Sequence, residues 1–374
     1  MRRISKLFVI ALVLIAALSF VGCKEKGPKT IKIGVAGPLS GDLASYGIPT
    51  TRAAELVVAK VNAAGGVNGS MIELVIEDDV CQPEIAANTA AKLVGDGVVA
   101  VIGHICSGAT KAAMGTYLDS DLLAISPSAT NPPLTQSGDY PNFFRTIAPD
   151  DAQALVEVQF AYDQGYKKIA VIHDKGDYGK GFAEFCKTYI EVDGKAEIVL
   201  YEGITPGAVD YTAIINKLAS SGADALIFGG YHPEASKLIT QMKKKDMNIA
   251  FLSDDGVKDD TFIKVAGDYA EGVYATGPID TNSNPLAIEA VAAHQAKYNE
   301  DPGAFFLNAY AATLALINAI DVADSTEYAD LTKALRSSYV ETPLGSISFD
   351  AKGDAIGVGF AIYQVQNGEY VELK

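Results

Sequence analysis

Ile31–Gly47 reads IKIGVAGPLSGDLASYG, and Lys168–Gly179 reads KIAVIHDKGDYG. Each is a short apolar run, a loop of small and polar residues, then a Tyr-Gly pair leading into a helix. The echo continues. Val99–Thr110 (VAVIGHICSGAT) parallels Asp224–Ala235 (DALIFGGYHPEA), and Leu123–Thr130 (LAISPSAT) parallels Ala250–Val257 (AFLSDDGV). A repeat of this length is too long for a solenoid, whose units run about 20–50 residues. It fits two duplicated lobes. Polar residues just past the strand ends of both lobes argue for a ligand held in a cleft between them.

Short β-branched runs alternate with longer amphipathic stretches. In Arg52–Ala63, Ala54, Val57, Val58 and Val61 recur at helical spacing before Gly65-Gly66 ends the helix. The pattern predicts strands over 31–36, 72–77, 99–105, 122–125, 168–173, 197–201, 225–228, 249–252 and 272–276. Strands alternating with helices make βαβ units and parallel sheets. After residue 276 come helices over 285–298, 304–323 and 328–338, then a β-rich tail over 346–373. The expected division is lobe 1 from 30–149 plus 278–358 and lobe 2 from 150–277 plus 359–374. Three crossings would form the hinge between them, which allows closure but little disorder.

Residues 1–22 read as a signal peptide: Arg2, Arg3 and Lys6, an apolar run over 7–21, then Gly22 ahead of Cys23. Such a run is too short and too early for a confident membrane span. A Cys after a small residue resembles a bacterial lipobox, with Phe20 in place of the usual Leu. Cys23 is therefore an expected lipidation site, and 24–29 a short tether. The remainder, about 350 residues, suffices for two domains. Hydrophobic residues make up 49% of the chain, enough for filled cores. Removing the three leader cations, with no acidic residue ahead of Cys23, takes the net charge from −16 to about −19. That charge disfavours nucleic acid and anionic membrane surfaces as partners.

Export allows disulfides. Cys81 follows one predicted strand and Cys106 ends the next. If those strands neighbour each other, the two Cα atoms come within disulfide reach, which favours a Cys81–Cys106 bond. Cys186, in a helical stretch, reads as a buried lone thiol. A zinc site from Cys81, His104 and Cys106 lacks any CxxC or HxxxH spacing.

Ligands of open α/β sheets bind beyond the carboxyl ends of the strands. In lobe 1 those positions carry Tyr46, His104 through Ser107, and Ser128 through Thr130. In lobe 2 they carry Tyr178, Tyr231-His232 and Asp254-Asp255. Ser107 and Thr130 sit where helices should start, the ordinary place for N-caps. The alternative is that hydroxyls and helix N-terminal N–H groups bind a carboxylate. Asp254-Asp255 either faces water in a turn or turns one carboxylate to a ligand cation, with Lys258 near enough to neutralise one. A carboxylate subsite facing a cation subsite suits a zwitterionic α-amino acid. Catalytic motifs are missing: Ile105 occupies the first Gly position of a GxSxG elbow around Ser107, and no GxGxxG, GxxxxGK[ST] or HExxH motif is present. His104 and His173 read as hinge or core groups, and His294 as exposed on a helix face. The chain does not read as an enzyme.

The ordered blocks GPLSGDLASYG, IEDDVCQP, VIGHICSGAT, ISPSATNP, IAVIHDKGDYGKG, GGYHPEA, AEG (270–272) and PLGSISFDAKGD resemble the type I periplasmic binding proteins. More narrowly, they resemble the leucine/isoleucine/valine-binding branch of ABC-transporter receptors, over nearly all of 31–373. The resemblance implies an α/β fold of two Rossmann-like lobes with parallel central sheets and a three-segment hinge. It implies that Ser107 (hydroxyl and N–H) and the Thr130 N–H bind the ligand carboxylate. The Ser128 carbonyl and Thr130 hydroxyl would accept from its ammonium, with Asp255 as counter-ion. Tyr46, Ile105, Cys106, Tyr178, Tyr231 and Tyr310 match the side-chain wall, and the relatives' disulfide falls on Cys81 and Cys106. Two departures stand out. Asp255 replaces a frequent Glu, and Ser128 replaces a common Ala.

The expected protein is thus a periplasmic or envelope-bound receptor that closes on a free aliphatic L-amino acid (Leu, Ile or Val) and delivers it to an ABC permease. Receptors for alanine, an amide or γ-aminobutyrate, and a sensor subunit, remain open alternatives at this point. The reading calls for no cofactor, no metal and no nucleic acid, a monomer, and membrane contact only through Cys23.

Overall fold

Two parallel sheets carry the repeat, and they have the same strand order. In the computed structural model, which describes residues 29–374, the first lobe runs β1 (Lys29–Gly37), α1 (Ala44–Ala63), β2 (Ser70–Asp78), α2 (Pro83–Gly95), β3 (Ala100–Ile102), α3 (Ser107–Leu118), β4 (Leu123–Ser126), α4 (Pro133–Gln136) and β5 (Phe143–Arg145). The second runs α5 (Asp150–Asp163), β6 (Lys168–His173), α6 (Asp177–Asp193), β7 (Glu197–Gly203), α7 (Thr212–Ser221), β8 (Ala225–Gly229), α8 (His232–Lys244), β9 (Ala250–Ser253), α9 (Asp260–Ala266) and β10 (Tyr274–Pro278). Sheet orders are β2-β1-β3-β4-β5 and β7-β6-β8-β9, every pair parallel. Strands β3, β4 and β8 are buried along their whole length, because helices cover both faces. Phe143–Arg145 was not among the predicted strands; it is only three residues long.

The remaining chain is shared. Helices α10 (Pro285–Tyr298), α11 (Phe306–Ala323) and α12 (Tyr328–Ser337) are followed by a small antiparallel sheet, β11 (Val340–Thr342), β12 (Gly345–Phe349) and β13 (Ala355–Ile356). Helix α11 packs on α1, and Ile347 and Phe349 join the first lobe's core beside Phe144. Helix α11 is apolar and long enough to cross a membrane, yet most of it is buried in this core. β14 (Phe360–Gln366) and β15 (Glu369–Glu372) then pair antiparallel with β10 in the second lobe. The chain therefore passes between lobes after β5, after β10 and before β14. Residues 1–28, with the leader and Cys23, lie outside the described part.

Three local expectations are corrected. Cys81 and Cys106 are bonded, Cα to Cα 5.6 Å, and Cys186 is a buried free thiol. However, β2 and β3 are not neighbours, since β1 lies between them. The bond is made by loops above β1. Val80 and Cys81 take left-handed φ of 51° and 58°, and the buried Asp79 carboxylate holds the turn by accepting from Cys81 N at 2.7 Å. Its other oxygen meets His104 Nδ1 at 2.6 Å, and His104 Nε2 meets the Tyr117 hydroxyl at 2.9 Å. Second, Ser107 and Thr130 are not N-caps. Cys106 occupies the N-cap of α3 with no side-chain hydrogen bond, and α4 starts only at Pro133. Third, His294 is wholly buried, bonded through Nδ1 to the Glu300 carbonyl and packed between Tyr298 and Phe306.

Non-reducing peptide mapping should join the Cys81 and Cys106 peptides and leave Cys186 free. The double replacement of Cys81 and Cys106 by Ala should cost about 3 kcal/mol, as expected for closing a loop of this size, read from the denaturant midpoint. A bridge to Cys186 would overturn the pairing.

Candidate functional site

The repeated Tyr-Gly pairs have a packing cause. A Cβ on Gly47 would run into the Pro38 carbonyl, and one on Gly179 into the Gly229 carbonyl. Glycine lets each helix start against a strand end, which aims the preceding tyrosine into the cleft. Tyr46 OH crosses between the lobes and donates to the Gly256 carbonyl at 2.6 Å. Tyr178 OH accepts from Gly256 N at 2.8 Å and donates to Asp255 Oδ1. Tyr231 lies between the two tyrosines, its ring centroid 6.0 Å from Tyr46 and 5.1 Å from Tyr178.

These residues line a narrow cavity between the lobes. Of the residues expected from the sequence, Tyr46, Ile105, Ser107, Ser128, Tyr178, Tyr231 and Asp255 line it. Thr130, Cys106 and Tyr310 do not. Thr130 is fully buried behind the wall, its hydroxyl without a partner. Cys106 is tied into the disulfide and packs with Ala86 and Ala109. Tyr310 points into the first lobe's core beside Phe306. Phe305 takes the position on the wall instead, 5.9 Å from the Tyr46 ring. Its left-handed φ of 60° ends the preceding loop, whereas the hydropathy pattern ran the helix back through it to Ala304. That is why periodicity missed it.

Ser107 opens α3, and its Oγ accepts from Asn131 N at 3.3 Å. With no side-chain cap, the first N–H groups of α3 keep the donor capacity that makes helix N-termini anion sites. Ser128 Oγ donates to the Ile105 carbonyl at 3.0 Å. The extra hydroxyl thus ties two cavity loops together rather than adding a free donor. Arg145, completely buried, fixes this region. Its Nε donates to Asp354 Oδ1 at 2.5 Å, and its Nη1 donates to the carbonyls of Ala129 and Asn131.

Both members of the acidic pair are buried, but they face different ways. Asp254 Oδ2 accepts from Gly230 N at 2.8 Å, and Asp254 does not reach the cavity. Asp255 lines it. Its Oδ1 accepts from Tyr178 and from Gln153 Nε2 at 3.0 Å, while Oδ2 is buried without a partner. Burial pushes the Asp255 carboxyl up to about 6, against the pull of the Tyr178 and Gln153 hydrogen bonds. Asp150, at the start of α5, is raised well above the carboxylate range by burial and by the Asp255 charge. Gln153 carried no sequence signal by itself. Only the 150/153/157 spacing of polar residues on one helix face hints at a buried stripe.

Four contacts, one of them already described, close the cleft. Asn131 Nδ2 donates to the Asp177 carbonyl at 2.6 Å, Lys111 Nζ pairs with Asp177 at 2.8 Å, Ser45 Oγ meets His232 Nε2 at 3.3 Å, and Tyr46 reaches Gly256.

The Asp255 carboxyl titrates higher folded than unfolded, so folding takes up a proton between about pH 4 and 6 and stability falls as pH rises through that window. Above about 6 the cost is complete, up to about 3 kcal/mol. Asp255→Asn should therefore stabilise the ligand-free protein at pH 7.5 and progressively less toward pH 4, read as the difference in Tm. A difference that stays flat or shrinks with rising pH would contradict this.

Residues 30–369 match the family model described as periplasmic binding protein. The chain is 38% identical over 366 residues to the leucine-, isoleucine-, valine-, threonine- and alanine-binding protein of Pseudomonas aeruginosa, covering 97% of this chain and 96% of that one. It is 34% identical over 346 residues to the Leu/Ile/Val-binding protein of Escherichia coli, covering 92% and 93%. Among solved structures, a branched-chain amino acid transporter substrate binding protein of Streptococcus pneumoniae, in complex with isoleucine, superposes with a TM-score of 0.83 at 29% identity. It covers 92% of this chain and 100% of that one. The two lobes with parallel central sheets agree with these matches. The chain belongs to the periplasmic binding protein family.

Proposed function

We propose that this protein is the extracytoplasmic binding component of an ABC transporter, closing on a free aliphatic L-amino acid and handing it to the permease. The observation that carries the reading is the pairing of opposite preferences across one small cavity. The first lobe offers the uncapped N-terminus of α3 at Ser107. The second offers the buried, unpartnered Oδ2 of Asp255. An α-carboxylate suits the first and an α-ammonium the second. Ile105, Phe305 and the tyrosines leave an apolar and aromatic wall for a hydrocarbon side chain. The relatives named for leucine, isoleucine and valine support the same ligand class. Residues 30–149 with 278–358, and 150–277 with 359–374, are the two bodies that move. Ligand favours the closed state because each lobe supplies only part of its contacts. Binding is the whole task of such a component; no reaction is assigned to it.

A thermal-shift panel of the twenty amino acids tests the ligand class. The true ligand at 100 times its Kd should add about 2.7 kcal/mol. Calorimetry with leucine, valine and alanine tests the site. Asp255→Asn should weaken binding at least about tenfold, since a charged hydrogen bond in a closed cleft is worth about 1.5–3 kcal/mol. Asp254→Asn, whose carboxylate serves Gly230, should do much less. Equal losses, or a larger loss at Asp254, would mean the register of the acidic pair is wrong.

Anchoring at Cys23 belongs to the same proposal. It rests on the Gly22-Cys23 junction after an apolar run, and several acyl chains on one residue would suffice for stable attachment. Mass analysis of the mature N-terminus should find acylated Cys23; an unmodified start elsewhere would reject it.

A further inference from the structure

With Asp255 ionised, the hydrogen positions around it are set by its partners, and they single out one residue that does not line the cavity. Thr276 Oγ1 donates its only proton to the Ser253 carbonyl at 3.3 Å. Toward Gln153, 2.8 Å away, it can then only accept. A carboxylate oxygen also only accepts, so the Gln153 amide must turn Nε2 to both Thr276 and Asp255 Oδ1, which uses its two protons. Tyr178 likewise has one direction open. Gly256 N can only donate to its oxygen, so the phenol proton goes to Asp255 Oδ1. Both fixed donors fall on one carboxylate oxygen, leaving Oδ2 as the free one. Gln153 lies on α5, the first element after the first passage between lobes. Thr276 lies on β10, the last element before the second.

We propose that Gln153 is a positioning residue for ligand capture: braced by Thr276, it turns the Asp255 carboxylate so that Oδ2 faces the ligand's ammonium, and it ties that orientation to the hinge. The inference rests on the reading of Asp255 as the ammonium partner. Removing the Gln153 donor leaves Asp255 with Tyr178 alone, so the carboxylate rotates more freely and holds its proton to higher pH. The charged and titratable groups around Asp255 are Asp150 of α5, the adjacent Asp254, Tyr178 of α6, Tyr231 ahead of α8, and Lys258 in the following turn. None of them is altered by the variants below.

The test is calorimetry with L-leucine on the full-length protein from pH 5 to 8, using Gln153→Leu, the near-isosteric Thr276→Val, Asp255→Asn and the Gln153→Leu/Asp255→Asn double variant. In the parent, affinity should be level above about pH 6 and fall below it by up to tenfold per unit. Gln153→Leu should lose about tenfold at pH 7.5 and move the acidic fall to higher pH. Thr276→Val should shift both in the same direction by less. The double variant should bind no more weakly than Asp255→Asn alone. A lowered Tm with unchanged affinity and pH profile in both Gln153→Leu and Thr276→Val would reduce Gln153 to a structural group and overturn the proposal. An equal Gln153→Leu loss in the Asp255→Asn background would overturn it too, with the ammonium reading intact. Undiminished leucine binding by Asp255→Asn would remove that reading instead, and this inference with it.

Discussion

A carboxylate held out of water in a closed cleft is the constraint on which this molecule turns. Removing such a group from water is expensive unless it is paired and hydrogen-bonded. Two donors, from Tyr178 and Gln153, go to one oxygen of Asp255 and none to the other. The half-satisfied state is costly without a cation and favourable with one. Asp254, one residue earlier, also keeps one oxygen without a partner, but its other oxygen bonds a backbone N–H and it does not line the cavity. A site with a full complement of donors would be more stable and would have less reason to bind anything, the usual opposition between stability and function.

The same constraint explains how modest interlobe contacts suffice. The Lys111–Asp177 pair is half exposed on both sides, and such pairs contribute about 0–1 kcal/mol. The Ser45–His232 contact is long at 3.3 Å, and burial lowers the proton affinity of His232. Tyr46–Gly256 and Asn131–Asp177 are better bonds, but each exchanges for water when the lobes part, leaving about 1 kcal/mol net. Latches of this size hold the lobes in register without locking them. A ligand that bridges the two lobes can then decide the balance by its differential affinity for the closed state.

Much of this was legible in the residues. The doubled strand-loop-Tyr-Gly pattern marks both lobes because the glycines are required by backbone contact at Pro38 and Gly229. Strand ends located most of the cavity, since parallel sheets leave their carboxyl ends open for ligands. What the chain hides is what depends on three-dimensional neighbours. The Cys81–Cys106 bond was expected from adjacent strands, yet β1 intervenes, and the bond forms through a left-handed turn at Val80-Cys81. Tyr310 and Phe305 are five residues apart. A single left-handed residue at the helix start puts Phe305 on the cavity wall and leaves Tyr310 in the core. His294 looked exposed because its helix has a weakly amphipathic pattern; Tyr298 and Phe306 cover it.

Both lobes share one strand order, and the chemistry at their equivalent strand ends differs. After β3 the first lobe places Ser107 at an uncapped helix start; after β8 the equivalent turn carries Tyr231 and a proline-started helix. After β4 stands Ser128, bonded back to Ile105; after β9 stands the Asp254-Asp255 pair. Two identical lobes would present the same charge preference to both ends of a ligand and could not orient a zwitterion. The asymmetry needs few substitutions because the parallel sheets already deliver loops from both lobes to one cavity. The scaffold can therefore keep its sheets while the residues at the strand ends change.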